Sequence, residues 1–206
     1  MERQMIIILI GLIIILALLM LKRRRSYIIE NQGEREVAEV LKKIKGYKLL
    51  NDILIKNKDK TTQIDHVLIG KKGIFVIETK DFSGIIKGEE YSKEWTQVIK
   101  GYSNDFYNPI RQNYGHIKAL ENLIKRRNIF ISIIVFTNKS NIEEIKAETP
   151  VIQLKSLKKF IKKYPSNINI NKEEINSIYN LIKKNNINSK RIRKKHVKNI
   201  NKNIKG

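Results

Sequence analysis

The chain has 206 residues, of which 41% are hydrophobic, so it can hold one domain with a substantial core together with short extensions. It contains no cysteine, which excludes disulfides, thiolate zinc sites and cysteine nucleophiles. The formal net charge of +22 favours polyanionic partners such as nucleic acid or anionic lipid, but Lys, Ile and Asn are abundant throughout, so the charge is supporting evidence only.

The first predicted element is a membrane anchor. Met5 to Leu21 is apolar and is followed at once by the basic cluster Lys22 to Arg25. Its length is near the lower limit of about 17 residues for crossing a bilayer as a helix. Because this cluster outweighs Arg3 before the run, the positive-inside rule places the rest of the chain in the cytoplasm. A cleaved signal peptide is the alternative, but no small-x-small cleavage site follows. We predict a single-pass anchor in the cell membrane over residues 1–25, whose basic cluster can also contact anionic lipid.

Gly33 to Lys45 is predicted to be a helix, with Val37, Leu41 and Ile44 as its apolar stripe. Glu34 lies three residues before Val37, so it falls on the side that faces the core. A carboxylate there needs a partner. A first-turn charge that is stabilised by the helix dipole is one explanation, and a role in a site is the other.

The next predicted elements are strands. Tyr47 to Ile55 is the first, and a polar loop from Lys56 to Thr62 follows it. Two strands rich in Ile, Val, Leu and Phe come next, Gln63 to Ile69 and Ile74 to Lys80. The glycine-flanked turn Gly70 to Gly73 joins these two strands into a predicted β-hairpin.

The register of this hairpin decides which side chains meet. If Ile69 and Ile74 close the turn, Asp65 faces Glu78 across the two strands. Like charges at directly opposed positions destabilise a sheet, so two facing carboxylates need compensation. A divalent cation such as Mg²⁺ or Mn²⁺ between carboxylate oxygens would provide it.

The predicted site at the end of this hairpin has a competing interpretation. Lys80 lies on the same face as Glu78, where its ammonium can orient a water or stabilise charge on a phosphate. The alternative is a solvated ion cluster on a polar sheet face. Because the second strand is apolar on both faces up to Ile77, we expect a buried central strand and favour the metal site. His66 is interpreted as a core histidine.

The segment after the hairpin continues with a short strand, Gly84 to Gly88. Trp95 is interpreted as a packing residue, with base stacking as the alternative. Asn108-Pro109 predicts a helix start, an N-cap followed by proline in the first turn, and the helix ends near Arg127. Gln112 and His116 share one flank of that helix because they are four residues apart.

The remaining chain is predicted to complete the domain and then become disordered. Ile129 to Thr137 has the composition of a strand buried on both faces, and Pro150 to Leu154 is a further strand. A short helix follows from Ser156 and an amphipathic helix from Asn171. Lys183 to Gly206 has ten Lys or Arg and no acidic residue, so we predict a disordered basic tail that binds nucleic acid or membrane.

These residues resemble a known family. Asp65, followed by Glu78-Thr79-Lys80 after a hydrophobic strand, is similar to the D…(D/E)xK signature of the restriction-endonuclease-like nucleases. The surroundings extend the likeness to the NERD domain, the nuclease-related domain, over roughly Gly33 to Thr137. The segments that carry it are Gly33-Glu34, Gln63 to His66, Gly73 to Lys80, Trp95, Asn108-Pro109, Gln112 and His116.

The resemblance implies an α/β fold with a restriction-endonuclease-like core: a helix, a mostly antiparallel β-meander, a helix and a returning strand. This core would occupy residues 26–165, behind the transmembrane helix, and residues 166–206 would hold the amphipathic helix and the basic tail. The implied activity is Mg²⁺-dependent hydrolysis of DNA phosphodiester bonds. In this interpretation Asp65, Glu78 and the Thr79 carbonyl bind the metal, Lys80 positions the water, and Glu34 and Gln112 support them, with His116 close by.

A second hypothesis is a protein that keeps the fold without useful catalysis and tethers nucleic acid to the membrane through its basic surface. The sequence lacks the motifs of several other common enzyme classes. The sequence contains no Walker A loop, no G-x-S-x-G and no H-E-x-x-H, which removes the usual NTPase, hydrolase and zinc-protease interpretations.

Overall fold

The structure is a computed structural model that describes the backbone of residues 2–203 and the side chains of residues 9–21 and 32–196. The chain combines helices and strands, as expected for an α/β protein: six consecutive strands follow the first helix, three more follow the second, and three helices come last. The elements in order are α1 (Glu2–Lys42), β1 (Tyr47–Asn57), β2 (Lys60–Gly70), β3 (Gly73–Lys80), β4 (Gly84–Glu89), β5 (Glu94–Ile99), β6 (Tyr102–Tyr107), α2 (Pro109–Ile124), β7 (Phe130–Phe136), β8 (Ser140–Lys146), β9 (Val151–Gln153), α3 (Leu154–Lys163), α4 (Lys172–Asn185) and α5 (Lys190–Asn203).

The strands within the described residues form two sheets. The larger has the order β1-β2-β3-β7-β9, antiparallel from β1 to β3 and parallel from β3 through β7 to β9. Ile69 pairs with Ile74 and His66 with Ile77, so the predicted hairpin register is confirmed. The smaller sheet has the order β6-β5-β4-β8.

The second sheet differs from the expected continuous meander. β4, predicted as Gly84 to Gly88, pairs with β5 and β8 instead of extending the first sheet. Gly84 has a φ of +82°, a backbone conformation that favours glycine, and it lies where the chain leaves β3 for the second sheet. Strands β5, β6 and β8 were not predicted because they lack an alternating apolar signal: β6 and β8 are polar and mostly exposed, and β5 has a single buried residue, Trp95. The predicted loop Lys56 to Thr62 is instead the paired end of β1 and β2, with Lys56 opposite Thr61.

Helices cover both faces of the larger sheet, and a hydrophobic cluster lies between the sheet and the helices on each face. Alternate residues of β3 face opposite sides, as a strand requires. Val76 packs in a cluster with Leu120 of α2 and Ile182 of α4. Phe75 packs in another cluster with Leu41 of α1 and Leu157 of α3. Strand β3 is therefore buried on both faces, and its charged end is the part that emerges from the core.

The N-terminal segment is helical in α1, and the helix predicted from Gly33 is its last part. Among the residues that the structure describes, no helix is long and apolar enough to cross a bilayer. The predicted anchor from Met5 to Leu21 and its basic flank Lys22 to Arg25 lie partly outside that description, because the side chains of residues 5–8 and 22–25 are not included.

The C-terminal segment has more structure than its composition suggested. Disorder was expected from Lys183 to Gly206, but α4 continues to Asn185 and α5 begins at Lys190. Arg193 of α5 is hydrogen-bonded to Asp52, and His196 is buried. Composition could not reveal these contacts, since each partner lies more than a hundred residues earlier in the chain.

Candidate functional site

The two carboxylates predicted to face each other lie where β2 and β3 cease to pair. The antiparallel ladder ends at His66 and Ile77, and Asp65 and Glu78 come one position further. The Thr79 backbone N–H donates to Asp65 Oδ2 at 2.8 Å, so the side chain of Asp65 reaches across to β3. Glu78 meanwhile pairs in parallel with Ile134 of β7. At the end of the hairpin, Asp65 is therefore held against β3, and Glu78 is buried beside β7.

Glu78 is only 1% exposed and has a partner at each carboxylate oxygen. Lys80 Nζ donates to Oε1 at 2.7 Å and also to Gln112 Oε1 at 3.1 Å. His116 Nε2 lies 3.2 Å from Oε2. Because an ionised carboxylate only accepts, Nε2 carries a proton, and the other ring nitrogen, His116 Nδ1, lies 2.8 Å from the Thr62 hydroxyl oxygen. Helix α2 therefore brings Gln112 and His116 to the charged end of β3.

The electrostatics of the two carboxyls differ. Burial alone would raise the pKa of Glu78, but the charge of Lys80 and the hydrogen bond from His116 lower it to about 2. Loss of water around Asp65 and the negative charges of Glu78 and Glu34 raise the pKa of Asp65 well above its ordinary value. The Thr79 N–H and Lys80 oppose this shift without cancelling it. The protein thus favours the charged form of Glu78 and disfavours that of Asp65, which is an imbalance between the two carboxyls.

This imbalance fits a cation among oxygen donors. No group of three or more His, Asp or Glu side chains that could hold a metal ion is found among the described residues. The predicted ligand set has only two such side chains, Asp65 and Glu78, with the carbonyl of Thr79. Both oxygens of Glu78 already accept a hydrogen bond, but a carboxylate offers about four acceptor positions, so each oxygen can still bind a cation. All-oxygen donors suit Mg²⁺ or Mn²⁺.

Comparison with known proteins identifies the family. The model of the nuclease-related domain, NERD, matches residues 29–137, which include every residue of the charged cluster described above. The chain belongs to the NERD family. An uncharacterised protein of Bacillus anthracis is 38% identical over 172 residues, which is 81% of each chain. A crystal structure of a protein of unknown function aligns over 82% of this chain and 95% of that chain, with 14% identity and a TM-score of 0.33, too distant a likeness to carry an argument. The α/β core is consistent with the restriction-endonuclease-like superfamily.

The predicted residues of the NERD site come from four elements. Asp65 lies on β2, Glu78, Thr79 and Lys80 lie on β3, and Gln112 lies on α2. Glu34 lies on α1, near enough for its charge to act on Asp65. The structure thus brings the predicted set together, and the catalytic role of each residue stays a prediction.

Two residues singled out in the sequence have structural roles in the NERD domain. Trp95 is 1% exposed, stacks on Phe136 and donates from Nε1 to the Glu89 carbonyl at 2.9 Å, so packing is confirmed over base stacking. His66 is buried and lies 2.8 Å from Asn51 Oδ1. Burial lowers the pKa of His66 to about 4, so the ring is neutral at pH 7.

Sequence reasoning missed three residues that support the site. Asn113 is fully buried and donates to the Val76 carbonyl and to Ser132 Oγ, both at 2.8 Å, which holds α2 against β3 and β7. A polar residue on the same helix face as Ile110 and His116 was the available signal. Thr62, which contacts His116, and His196, which contacts Thr61, gave no signal because their partners are distant in the chain.

Proposed function

We propose that this NERD protein is a Mg²⁺- or Mn²⁺-dependent nuclease that hydrolyses phosphodiester bonds of DNA. The main support for the proposal is that Asp65, Glu78 and Lys80 lie together at the end of a buried strand. Glu34 and Gln112, which come from two helices, lie beside them. Buried charge of this kind costs stability unless it is paired, and clusters of buried groups with shifted pKa values are frequent at functional sites. A hard cation is the ligand that these carboxylates would attract, and the bound cation together with Lys80 would attract a phosphate.

Each residue of the site would have its own role in the proposed reaction. Asp65, Glu78 and the Thr79 carbonyl would hold the metal, which supplies Lewis-acid stabilisation of the phosphate and a more acidic water. Lys80 is fixed between Glu78 and Gln112, so its ammonium is already oriented and can position water or stabilise charge on the phosphate. Glu34 would support the metal or the water from α1.

We also propose that α1 anchors the protein in the cell membrane, with the NERD domain in the cytoplasm. The large apolar side chains described over residues 9–21 of this helix are exposed, among them Leu12 (55%), Ile15 (56%) and Leu18 (59%). A large exposed apolar surface favours a nonpolar partner, and lipid is such a partner. The basic cluster Lys22 to Arg25 supports the orientation and contact with anionic lipid.

A membrane-tethered protein that binds nucleic acid without cutting it is the second candidate. The observation that favours it is the full engagement of Glu78, whose two carboxylate oxygens each accept a hydrogen bond from within the protein. If these bonds outcompete a metal, the cluster is a structural ion network on a basic protein.

Cleavage of DNA by the full chain in detergent micelles tests the proposal. Single-stranded, double-stranded and branched DNA are incubated with and without Mg²⁺, beside Glu78→Gln and Lys80→Ala. Glu144→Gln is the matched control, because Glu144 is a half-exposed carboxylate that pairs with Lys87 on the second sheet. We expect metal-dependent cleavage that both site variants lose and the control keeps. Folded wild-type protein that binds DNA and metal but never cleaves would favour the second candidate.

A further inference from the structure

Helix α5 is attached to the NERD domain by specific polar contacts. Arg193 Nη1 donates to both carboxylate oxygens of Asp52 at 2.8 Å, and Nη2 donates to the Asp52 carbonyl at 3.0 Å. The preceding linker is also held: Leu54 N–H donates to Asn186 Oδ1, and Ile187 N–H donates to the Leu54 carbonyl. The start of α5 therefore has a defined position on β1.

The same helix reaches the neighbourhood of the charged site. His196 is 7% exposed, and its Nδ1 lies 2.9 Å from Thr61 Oγ1 on β2. The next residue along that strand, Thr62, contacts His116, which in turn contacts Glu78. His196 Nε2 is buried without a hydrogen-bond partner in the described structure. Helix α5 thus contacts β2 one residue away from Thr62, which contacts the charged site through His116.

Four cations in the described part of α5 lie on its outer side. Lys190, Arg191, Lys194 and Lys195 are exposed. At about 100° per residue they fall within an arc of about 140°, whereas Arg193 and His196 lie on the opposite side. The docking residues and the exposed cations therefore occupy different faces of one helix. No acidic residue occurs from Lys183 onwards to neutralise them.

A basic groove lies next to this helix, between the β1–β2 hairpin, α2 and α4. Its volume is about 680 Å³, and it begins one turn beyond His116 along α2. Cationic and amide side chains line it together with apolar residues. The polar ones are Lys56, Asn57, Lys58, Asn122, Lys184, Asn185 and Asn186.

We propose that α5 and this groove bind the phosphate backbone of the nucleic acid whose cleavage is proposed above. The proposal rests on that function for the ligand, but α5 lies outside residues 29–137, so the family match does not assign it. Lys and Arg on a docked helix make phosphate contacts that are independent of sequence. A groove lined by Lys and Asn side chains fits a strand better than it fits a flat bilayer, which is why nucleic acid is favoured over membrane.

DNA binding by full-length variants tests this role. A fourfold variant replaces Lys190, Arg191, Lys194 and Lys195 with alanine and leaves Arg193 and His196 intact. The control replaces Lys158, Lys159, Lys162 and Lys163, exposed residues of α3 on the other face of the sheet, so both proteins lose four charges. Each set is made in a Glu78→Gln background, and Kd for labelled single- and double-stranded DNA is measured against salt concentration.

We expect the α5 variant to bind at least about 10-fold more weakly and to lose about 2 to 4 from the slope of log K against log salt, while the control changes little. Exchange of Lys190, Lys194 and Lys195 for arginine should retain binding, and a thermal melt confirms folding of each variant. Equal losses in the α5 and α3 variants would overturn the proposal. So would unchanged DNA binding by the α5 variant with lost binding to phosphatidylserine vesicles.

The outcome is separable from that of the cleavage assay. Loss of binding specific to α5 supports the surface even if the wild-type protein never cleaves DNA. Cleavage that depends on Glu78 supports the nuclease even if the α5 variant binds like the control, in which case α5 is rejected as the binding surface.

Discussion

Replacement of Lys80 by methionine should destabilise the domain through Glu78. Lys80 donates to both Glu78 and Gln112, and Glu78 is 1% exposed, so its charge cannot be solvated when the ammonium is removed. Breaking a buried ion pair costs about 3–5 kcal/mol. The His116 hydrogen bond remains and the Lys80 side chain is 16% exposed, so we expect a smaller loss of about 2–3 kcal/mol in the free energy of unfolding at pH 7.

The single tryptophan provides the assay. Trp95 is buried against Phe136, so its fluorescence reports urea unfolding of the domain and not of the N-terminal helix. Glu78→Gln made on top of Lys80→Met should recover part of the stability, because an amide can be buried more easily than an unpaired charge. Strict additivity of the two substitutions would refute the proposed coupling.

The pH dependence gives a second test of the same pair. The pKa of Glu78 is lowered to about 2 in the folded protein, so its ion pair stabilises the fold above the ordinary carboxyl range near 4.5. That contribution should fade as pH falls from about 4.5 to about 2. In Lys80→Met the fading should be weaker or reversed, since burial then dominates. Parallel pH profiles for the two proteins would contradict this account.

Three further outcomes are expected. Asp65→Asn should stabilise the metal-free protein by about 0.5–2 kcal/mol at pH 7, because burial, and after it repulsion by Glu78 and Glu34, raises the pKa of Asp65. The gain should vanish below pH 3.8, and a Mg²⁺-induced rise in Tm should be lost. Gly33→Ala should cost about 1–3 kcal/mol, since the new Cβ would lie 2.6 Å from Asp81 Cβ, whereas Gly115→Ala meets nothing within 4 Å and should be neutral or stabilising in a thermal melt. Asn113→Ala should cost about 2–4 kcal/mol in urea unfolding, because two buried partners lose their donor.

The hairpin was predictable because its signals are local. A glycine-flanked turn and two apolar strands fix the register of β2 and β3, and with it the placement of Asp65 opposite Glu78. The family resemblance added Glu34 and Gln112, whose positions in this structure lie near that pair. These parts depend on short sequence patterns or on a motif already known.

The second sheet and the supporting contacts were not predictable in the same way. Strand β6 is almost wholly exposed, so its residues show no preference for one face. Thr61 meets His196 across 135 residues and Thr62 meets His116 across 54. Such pairs form when elements that are far apart in the chain pack together, so no local sequence pattern predicts them. The docking of α5 belongs to this class, which is why composition alone suggested disorder.

The parallel pairing of β3 with β7 has a consequence for when the site comes into existence. The β2–β3 hairpin can form within microseconds, but Ile134, the partner of Glu78, is made about 56 residues later. At a synthesis rate of about 5–20 residues per second, about 3–11 s pass between the synthesis of Glu78 and that of Ile134, and during this time β3 lacks the strand that pairs with it. The charged cluster of a nascent NERD domain is therefore incomplete until β7 has left the ribosome and closed the sheet.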